Sequence, residues 1–497
     1  MGENTRNTGY VAIDIRESEC FVHRVPRKLR KVNESAYTPQ LISIGPFHYG
    51  NADLSEMESL KIKYFSDFLK RSEKIKENDL KRAIYGCSEK LHNCYEGIFS
   101  KFENNPQVFD EIILRDACFI IELFLRNTED EQEGGKRGCI LRTPWLRKAI
   151  KLDLILLENQ LPFFVLTKLF NVVKPYLPPV KIPKPKSDYG SNTTTTTFDR
   201  PVMSCGCICR ATPFTCCQVK KLSQKEAALN RKPAEEEKGD LCIDPLLKLT
   251  RFFFQEHFLT ESDRRVMFDD IKEIKHFTDL VRSFWLPREY IMIKEQPARG
   301  NITERKYLYS ATKLDTAGVT FEPARKGTSL TDVKISKKLF LKFVPAINGM
   351  LLKLPELKLE NDTECLLRNV MALEQCLYPE EDYICGYVAL MDQLINTRED
   401  VEFLVDRKIL TNLLGSNKEA AKLINSLCNQ IPRDKSYYAP LYNELNSFYE
   451  NRWNVTRATL KKVYFKDLWT GSSTIVGLFV LLFTVSATLK NVYFRHL

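Results

Sequence analysis

The sequence predicts a mainly α fold: a multi-helix globular body with a small β element, interrupted by a disordered linker, plus one C-terminal transmembrane helix. Three observations predict it. Apolar residues recur at three- and four-residue spacing through most of the chain, as amphipathic helices require. Between residues 174 and 240 the composition turns to Pro, Thr, Cys and runs of charge. Residues 471–489, GSSTIVGLFVLLFTVSATL, carry no charge at all.

Taken in order, residues 1–19 read as a flexible N-terminus and 20–173 as an N-terminal helical half. CFVHRVPRKLR is a basic strand or loop, followed by TPQLISIGPFHYGN, a turn punctuated by Gly45, Pro46, Gly50 and Asn51. Leu54, Met57, Lys61, Tyr64, Phe68 and Leu69 mark an amphipathic helix. A second is expected from about Asp79 to Phe102, and a third from Phe109 to Arg126, apolar nearly all round and therefore central. Thr143 and Pro144 suit the cap and first turn of a fourth. That helix runs into LDLILLENQLPFFVLTKLF, where Pro162 should kink or break it.

Residues 174–240 form the linker, PYLPPVKIPKPK, SNTTTTT and AEEEKGD being its low-complexity parts. Residues 241–470 make a C-terminal helical half that shares one core with the first. Helical spacing resumes in DPLLKLTRFFFQEHF and FTDLVRSFWLP, and the alternating pieces GVTFEP and VKISKKLFLKF supply the small sheet. Further helices are expected at 364–376, 383–396, 399–404 and 418–428, then in a long run from Ala439 with little room for a hinge. Residues 490–497 are a short tail.

The uncharged segment spans roughly 28 Å as a helix, close to the ~30 Å hydrocarbon core of a bilayer. Trp469 and Tyr493 flank it as interfacial aromatics do. Arg452, Arg457, Lys461, Lys462 and Lys466 upstream outnumber Lys490 and Arg495 downstream, which places the body in the cytosol. Membrane lipid contacted through 471–489 is thus one expected partner. With so short a tail, insertion after translation is expected. The sequence does not choose between plasma membrane and endomembranes.

Charge and cysteine agree with this setting. The net charge of +10 comes from 74 basic and 64 acidic residues, interleaved rather than striped. Nucleic acid is therefore not an expected partner, whereas an acidic membrane surface is. The first residues carry no secretory signal pattern, and Arg6 stands where Gly2 myristoylation wants Ser or Thr. Cys87, Cys94, Cys118 and Cys376 sit within apolar helical patterns and read as small buried hydrophobes, not as a disulfide framework.

Several clusters carry potential chemistry. Cys205, Cys207, Cys209, Cys216 and Cys217 could take a soft metal or palmitate. Yet C-x-C and CC are not the C-x2-C spacing of structural zinc, so unengaged thiols are the favoured reading and no metal is expected. Glu158, Asn159 and Gln160 interrupt one apolar run, and Arg368, Asn369, Glu374 and Gln375 another. Unpaired burial costs several kcal/mol, so these groups need partners. The first reading is a mutual network docking the two halves, for instance Glu158 or Glu374 with Arg368. The second makes them the floor of a ligand pocket. Arg24, Arg27 and His48, with His23, Lys28 and Arg30 near them, form a candidate interaction loop. Asp116, Glu122 and Asp153 also lie in apolar helices, but Asp116 and Glu122 are six apart, roughly 240° around a helix, and no Glu-x-x-His pair appears, so catalysis from them is not expected. P-loop, Rossmann, kinase and nucleophile-elbow patterns are absent, and neither a cofactor nor a catalytic residue is assigned.

VPRKLR (25–30), SIGPFHYG (43–50), LLENQLPFFVL (156–166), SATKLDTAGVTFEP (310–323), LLRNVMALEQC (366–376) and DQLINTREDVEFLV (392–405) follow one another in the order of a known set. With the closing hydrophobic helix, they resemble the plant family named domain of unknown function 247. The Cys-rich linker is not part of that pattern. The resemblance implies a plant membrane-associated protein with no established catalytic activity. Relatives associated with self-incompatibility or stress imply an interaction or signalling scaffold that binds another protein. The alternative is a hydrolase- or transferase-like enzyme with its pocket at the junction of the halves, joining His48 or Glu158 to Arg368.

Overall fold

The computed structural model describes residues 20–102, 105–133, 138–178, 244–254, 274–286, 307–339, 348–431, 437–464 and 468–495. The expected linker cysteines, Cys205 to Cys217, and most of the expected N-terminal segment lie outside these residues. So does all of 174–240 beyond residue 178; Lys174–Tyr176 form a 3-10 turn.

The helix apolar on all sides is the centre of the body. It runs Pro106–Glu133, and Phe109, Ile113, Ala117 to Ile121, Leu123 and Phe124 have no exposed surface. Helices Ser55–Leu69, Glu77–Tyr85, Phe163–Val173 and Pro245–Phe254 all pack on it. Phe124 stacks with Phe253 and Phe277 at ring-centroid distances of 4.8 and 5.8 Å, so segments from either side of 179–243 share one apolar cluster.

Two helices of the N-terminal half differ from expectation. The span 79–102 is divided into Glu77–Tyr85, Ser88–Asn93 and Phe99–Phe102. Gly86 ends the first piece, and Gly97 adopts a φ of 62°. Between the last two, Tyr95 leaves the helix to bridge Val22, with the Val22 amide donating to the Cys94 carbonyl at 2.9 Å. The fourth helix, Pro144–Asp153, stops well before Pro162, which instead precedes Phe163–Val173. Thr143 holds the cap position, but its side chain makes no cap bond.

The small sheet has strands β1 (Val319–Pro323), β2 (Lys334–Leu339) and β3 (Asn348–Leu354), in the order β1-β3-β2. β1 pairs parallel to β3 and β2 antiparallel to it, which places Val319 opposite Met350 and Ile335 opposite Leu352. β4 (Leu357–Leu359) and β5 (Leu410–Asn412) make a second, parallel pair. Arg398–Asp406 packs on β5, and helices Thr363–Leu377, Tyr383–Leu394, Arg398–Asp406 and Asn417–Leu427 pack on one another. Thr397 and Asp400 form a capping box, and Ser416 caps the last by accepting from the Glu419 amide. The run from Ala439 is jointed: Ala439–Glu450, Arg452–Tyr464 and Leu468–Arg495. Its first joint is Asn451, extended at ψ 105°, whose Oδ1 accepts from the Trp453 amide at 3.1 Å and so starts a new helix.

Candidate functional site

Residues 154–162 are buried throughout, yet they are neither helix nor strand. A backbone in that position must find partners outside any ladder. The polar triplet supplies them. Gln160 Nε2 donates to the Leu154 and Leu156 carbonyls, each at 2.7 Å, and Oε1 accepts from the Phe277 amide at 2.9 Å. Asn159 Nδ2 donates to the Ile42 and Asp153 carbonyls at 2.9 Å, while Oδ1 accepts from the Ile44 amide at 2.6 Å. Thr278 Oγ1 donates to the Ile155 carbonyl at 2.9 Å.

Glu158 faces the N-terminal segment. Its carboxylate accepts from the Val25 amide at 2.7 Å and from Arg30 Nη2 at 2.6 Å, with His48 Nε2 at 3.4 Å. Burial opposes its ionisation, but His48, Arg30 and the Val25 amide outweigh that and hold its pKa below the ordinary value. From the other half, Asn369 Oδ1 accepts from the Leu157 amide at 2.9 Å and Nδ2 donates to the Ala36 carbonyl at 2.7 Å. Asn369 therefore ties the buried segment and the N-terminal turn to one helix.

The same device holds residues 40–45. Asp153 accepts the amides of Gln40, Leu41 and Ile42 at 2.7–2.9 Å. Asp116 accepts from the Gly45 amide at 2.8 Å. Its other oxygen meets Lys61 Nζ at 2.6 Å, and Lys61 also donates to the Ser43 carbonyl at 2.7 Å. Burial pushes the Asp116 pKa up, and Lys61 pulls against that shift. Gly45 sits at φ +72°, where a Cβ would stand 2.7 Å from the Gln160 carbonyl oxygen. Only glycine fits that conformation at that approach.

The expected pairing of Glu158 or Glu374 with Arg368 does not form. Arg368 Nε donates to Glu364 at 2.7 Å, one helical turn away, and Nη2 to Ser426. Glu374 accepts from Arg282 Nε at 3.1 Å and from the Ile384 and Cys385 amides at 3.1 and 2.8 Å, capping Tyr383–Leu394. Each acid satisfies the donors nearest its own turn, and Arg368 points to a different neighbour. Burial raises Glu374 to about 7 despite Arg282 and the two amides. Gln375 is only half-buried, and its Nε2 has no partner among the described residues.

The loop residues separate. Arg27 is exposed, and Arg24 lies over the Phe47 ring at 4.5 Å with its amide on Glu96. His48 faces inward to Glu158, where it joins Arg30 and not the exposed Arg27. On the central helix, Glu122 takes Arg71 at 2.5 Å and Arg126 at 2.7 Å, and shares no partner with Asp116. Sequence reasoning missed Lys61 and Arg282 as buried cations. Their signal was a basic residue on an otherwise apolar helical stripe.

Most of the bonds these side chains make are to main-chain groups, so the arrangement fixes the backbone of 36–45 and 154–160. Among the described residues no cluster of His, Cys, Asp or Glu is arranged to hold a metal. An open groove of about 550 Å³ lies elsewhere, between the sheet and helix Ala439–Glu450, lined by Lys337, Met350, Asn443, Ser447 and Phe448.

A family model, DUF247, described as a plant protein of unknown function, matches residues 22–483. Two proteins of Arabidopsis thaliana align along most of the chain. UPF0481 protein At3g47200 is 24% identical over 493 residues, covering 94% of this chain and 85% of that protein. Putative UPF0481 protein At3g02645 is 22% identical over 511 residues, covering 92% and 87%. No solved structure matches.

Proposed function

The chain belongs to the plant DUF247 family of unknown function, and from that premise we propose that it is a membrane-anchored interaction scaffold whose helical body binds another protein in the cytosol. One observation carries this reading. The helix Ser472–Lys490 is long and apolar enough to cross a bilayer, and none of it is buried against the body. Ile475, Val476, Leu478 to Phe483, Val485 and Leu489 stand 46–75% exposed. Leaving them in water forgoes on the order of 10–20 kcal/mol of apolar transfer. Thr484 donates to the Val480 carbonyl at 2.8 Å and Thr488 to the Thr484 carbonyl, so both hydroxyls are satisfied within the helix, as hydrocarbon demands.

The basic residues Arg452, Arg457, Lys461, Lys462 and Lys466 on the body side support a cytosolic orientation. The enzyme alternative needed His48 or Glu158 to share a cavity with Arg368. Glu158 instead closes on Arg30 and Val25, and Arg368 on Glu364 and Ser426. Groups committed to backbone hold shape rather than perform chemistry, which favours the scaffold. Proximity labelling in plant tissue, with the full chain and with a chain ending at residue 470, tests this. The scaffold reading expects a discrete set of membrane-bound neighbours that disappears on truncation; an identical set for both chains would overturn it.

A further inference from the structure

Helix Arg452–Tyr464 is amphipathic in the inverted sense. Its body-facing side is modest: Ala458 is buried, Asn454 and Val455 are half-buried, and Asn454 Nδ2 donates to the Phe448 carbonyl at 2.9 Å. A Cβ placed on Gly318 would touch Ala458 at 3.4 Å, so this side lies close against the chain entering β1. The outward side is the apolar one. Trp453 is 82% exposed, Leu460 48% and Val463 56%. Trp453 and Leu460 are seven residues apart, within about 20° of each other on a helix, and Val463 follows one turn later. A surface helix of a water-soluble body turns that stripe inward. Here Trp453 stands almost clear of the described body, and Leu460 and Val463 are about half clear of it.

We propose that this helix lies in the headgroup layer of an anionic leaflet, with Trp453, Leu460 and Val463 dipping into the acyl boundary. The body is then held to the membrane by a second contact besides the spanning helix. The proposal rests on the anchored reading above and adds a depth and a lipid charge to it. Two facts select lipid as the occupant. The helix sequence, RWNVTRATLKKVY, holds Arg452, Arg457, Lys461 and Lys462 and no acidic residue, which complements an anionic surface. Only residues 465–467 separate it from Leu468–Arg495, a reach of at most about 14 Å, so the Tyr464 end stays near the interface once that helix is inserted. An aromatic with basic neighbours beside a spanning segment is suited to such a layer.

The test uses the full chain reconstituted into phosphatidylcholine vesicles, with and without phosphatidylserine, whose acyl chains carry bromine at a shallow or a deep position. The chain has four tryptophans, so Trp453 is isolated as the difference between wild type and Trp453→Phe, and Trp469 likewise through Trp469→Phe. The expected result is that shallow bromine quenches Trp453 at least twofold more than deep bromine, and more strongly with phosphatidylserine present. Trp453 unquenched while Trp469 is quenched would overturn the proposal and leave the anchor standing. Equal quenching with and without phosphatidylserine would overturn the anionic requirement. If neither tryptophan is quenched, the anchored reading fails and the proposal falls with it.

Discussion

Replacing Asn159 with alanine deletes three hydrogen bonds in a place water does not reach. Asn159, Ile42 and Ile44 have no exposed surface. The change leaves the Ile44 amide and the Ile42 carbonyl without the carboxamide, and the Asp153 carbonyl with only the Leu156 amide at 3.3 Å. A buried group stranded in this way costs about 1–3 kcal/mol. Two stranded groups, one weakened and a small cavity therefore put the loss at roughly 3–5 kcal/mol. That is a large share of the ~5–15 kcal/mol by which domains are usually stable. The damage should also be local, because residues 40–45 have no ladder of their own and depend on Asp153, Asn159 and Asp116 for their amides. Urea unfolding measures the total, and hydrogen exchange on peptides covering 40–46 measures the locality. Exchange there should accelerate roughly a hundredfold or more while peptides in Tyr383–Leu394 change little at first. A loss under ~1 kcal/mol with unchanged exchange at 40–46 would refute the reasoning.

Other consequences follow from the same geometry. Burial holds His276 down at about 4 and Glu374 up at about 7, against ordinary values of 6.5 and 4.5. His276 thus contributes stability that is present above pH 6.5 and lost as pH falls through about 4. Glu374 does the opposite, its contribution being full below pH 4.5 and lost as pH rises through about 7. Each amounts to about 3 kcal/mol, so these two contributions nearly offset one another. His276→Asn, which keeps a cap acceptor, should become the more stable chain at acid pH, and Glu374→Gln should show the reverse slope; urea midpoints from about pH 4 to 8 decide. Matching slopes in the two variants would contradict the assignment. Lys61→Met strands the Asp116 carboxylate and should cost about 3–5 kcal/mol in urea unfolding, with part recovered in the Lys61→Met/Asp116→Asn double variant. Gly45→Ala should lower the melting temperature clearly more than Gly50→Ala, since both have positive φ but nothing lies within 4 Å of a Cβ at Gly50. Equal losses would mean that the approach to Gln160 is not tight.

What was legible in the sequence is what has a local cause. The helix around Ile113 to Phe124 and the long apolar helix over 472–490 announce themselves because composition alone marks them. The strands near Phe321 and Ile335 followed from alternation, though the crossing of β3 between them did not. Gly86 marks the first break of 79–102 in the sequence itself, but the bridge that draws Tyr95 out of the helix was hidden because its partner, Val22, is more than seventy residues away. Residues 154–162 were read as continuing a helix, since a fully buried stretch has no polar face to reveal its period. The triplet Glu158-Asn159-Gln160 was visible as an anomaly, but its partners were not. Charge identity alone suggested Arg368, whereas Arg30 and Arg282 were the arginines within reach. Lys61 shows the same limit: it fell on the apolar stripe, and only the fold places Asp116 beside it.

The scaffold account stands or falls on whether Ser472–Lys490 holds the body at a membrane from the cytosolic side. Alkaline carbonate extraction of plant microsomes, combined with protease added from the cytosolic face, addresses this directly. The account predicts that the full chain stays in the membrane pellet at high pH and that the body is digested without detergent, leaving only a fragment containing the helix. Release into the alkaline supernatant, or a body protected until the vesicles are opened, would contradict it.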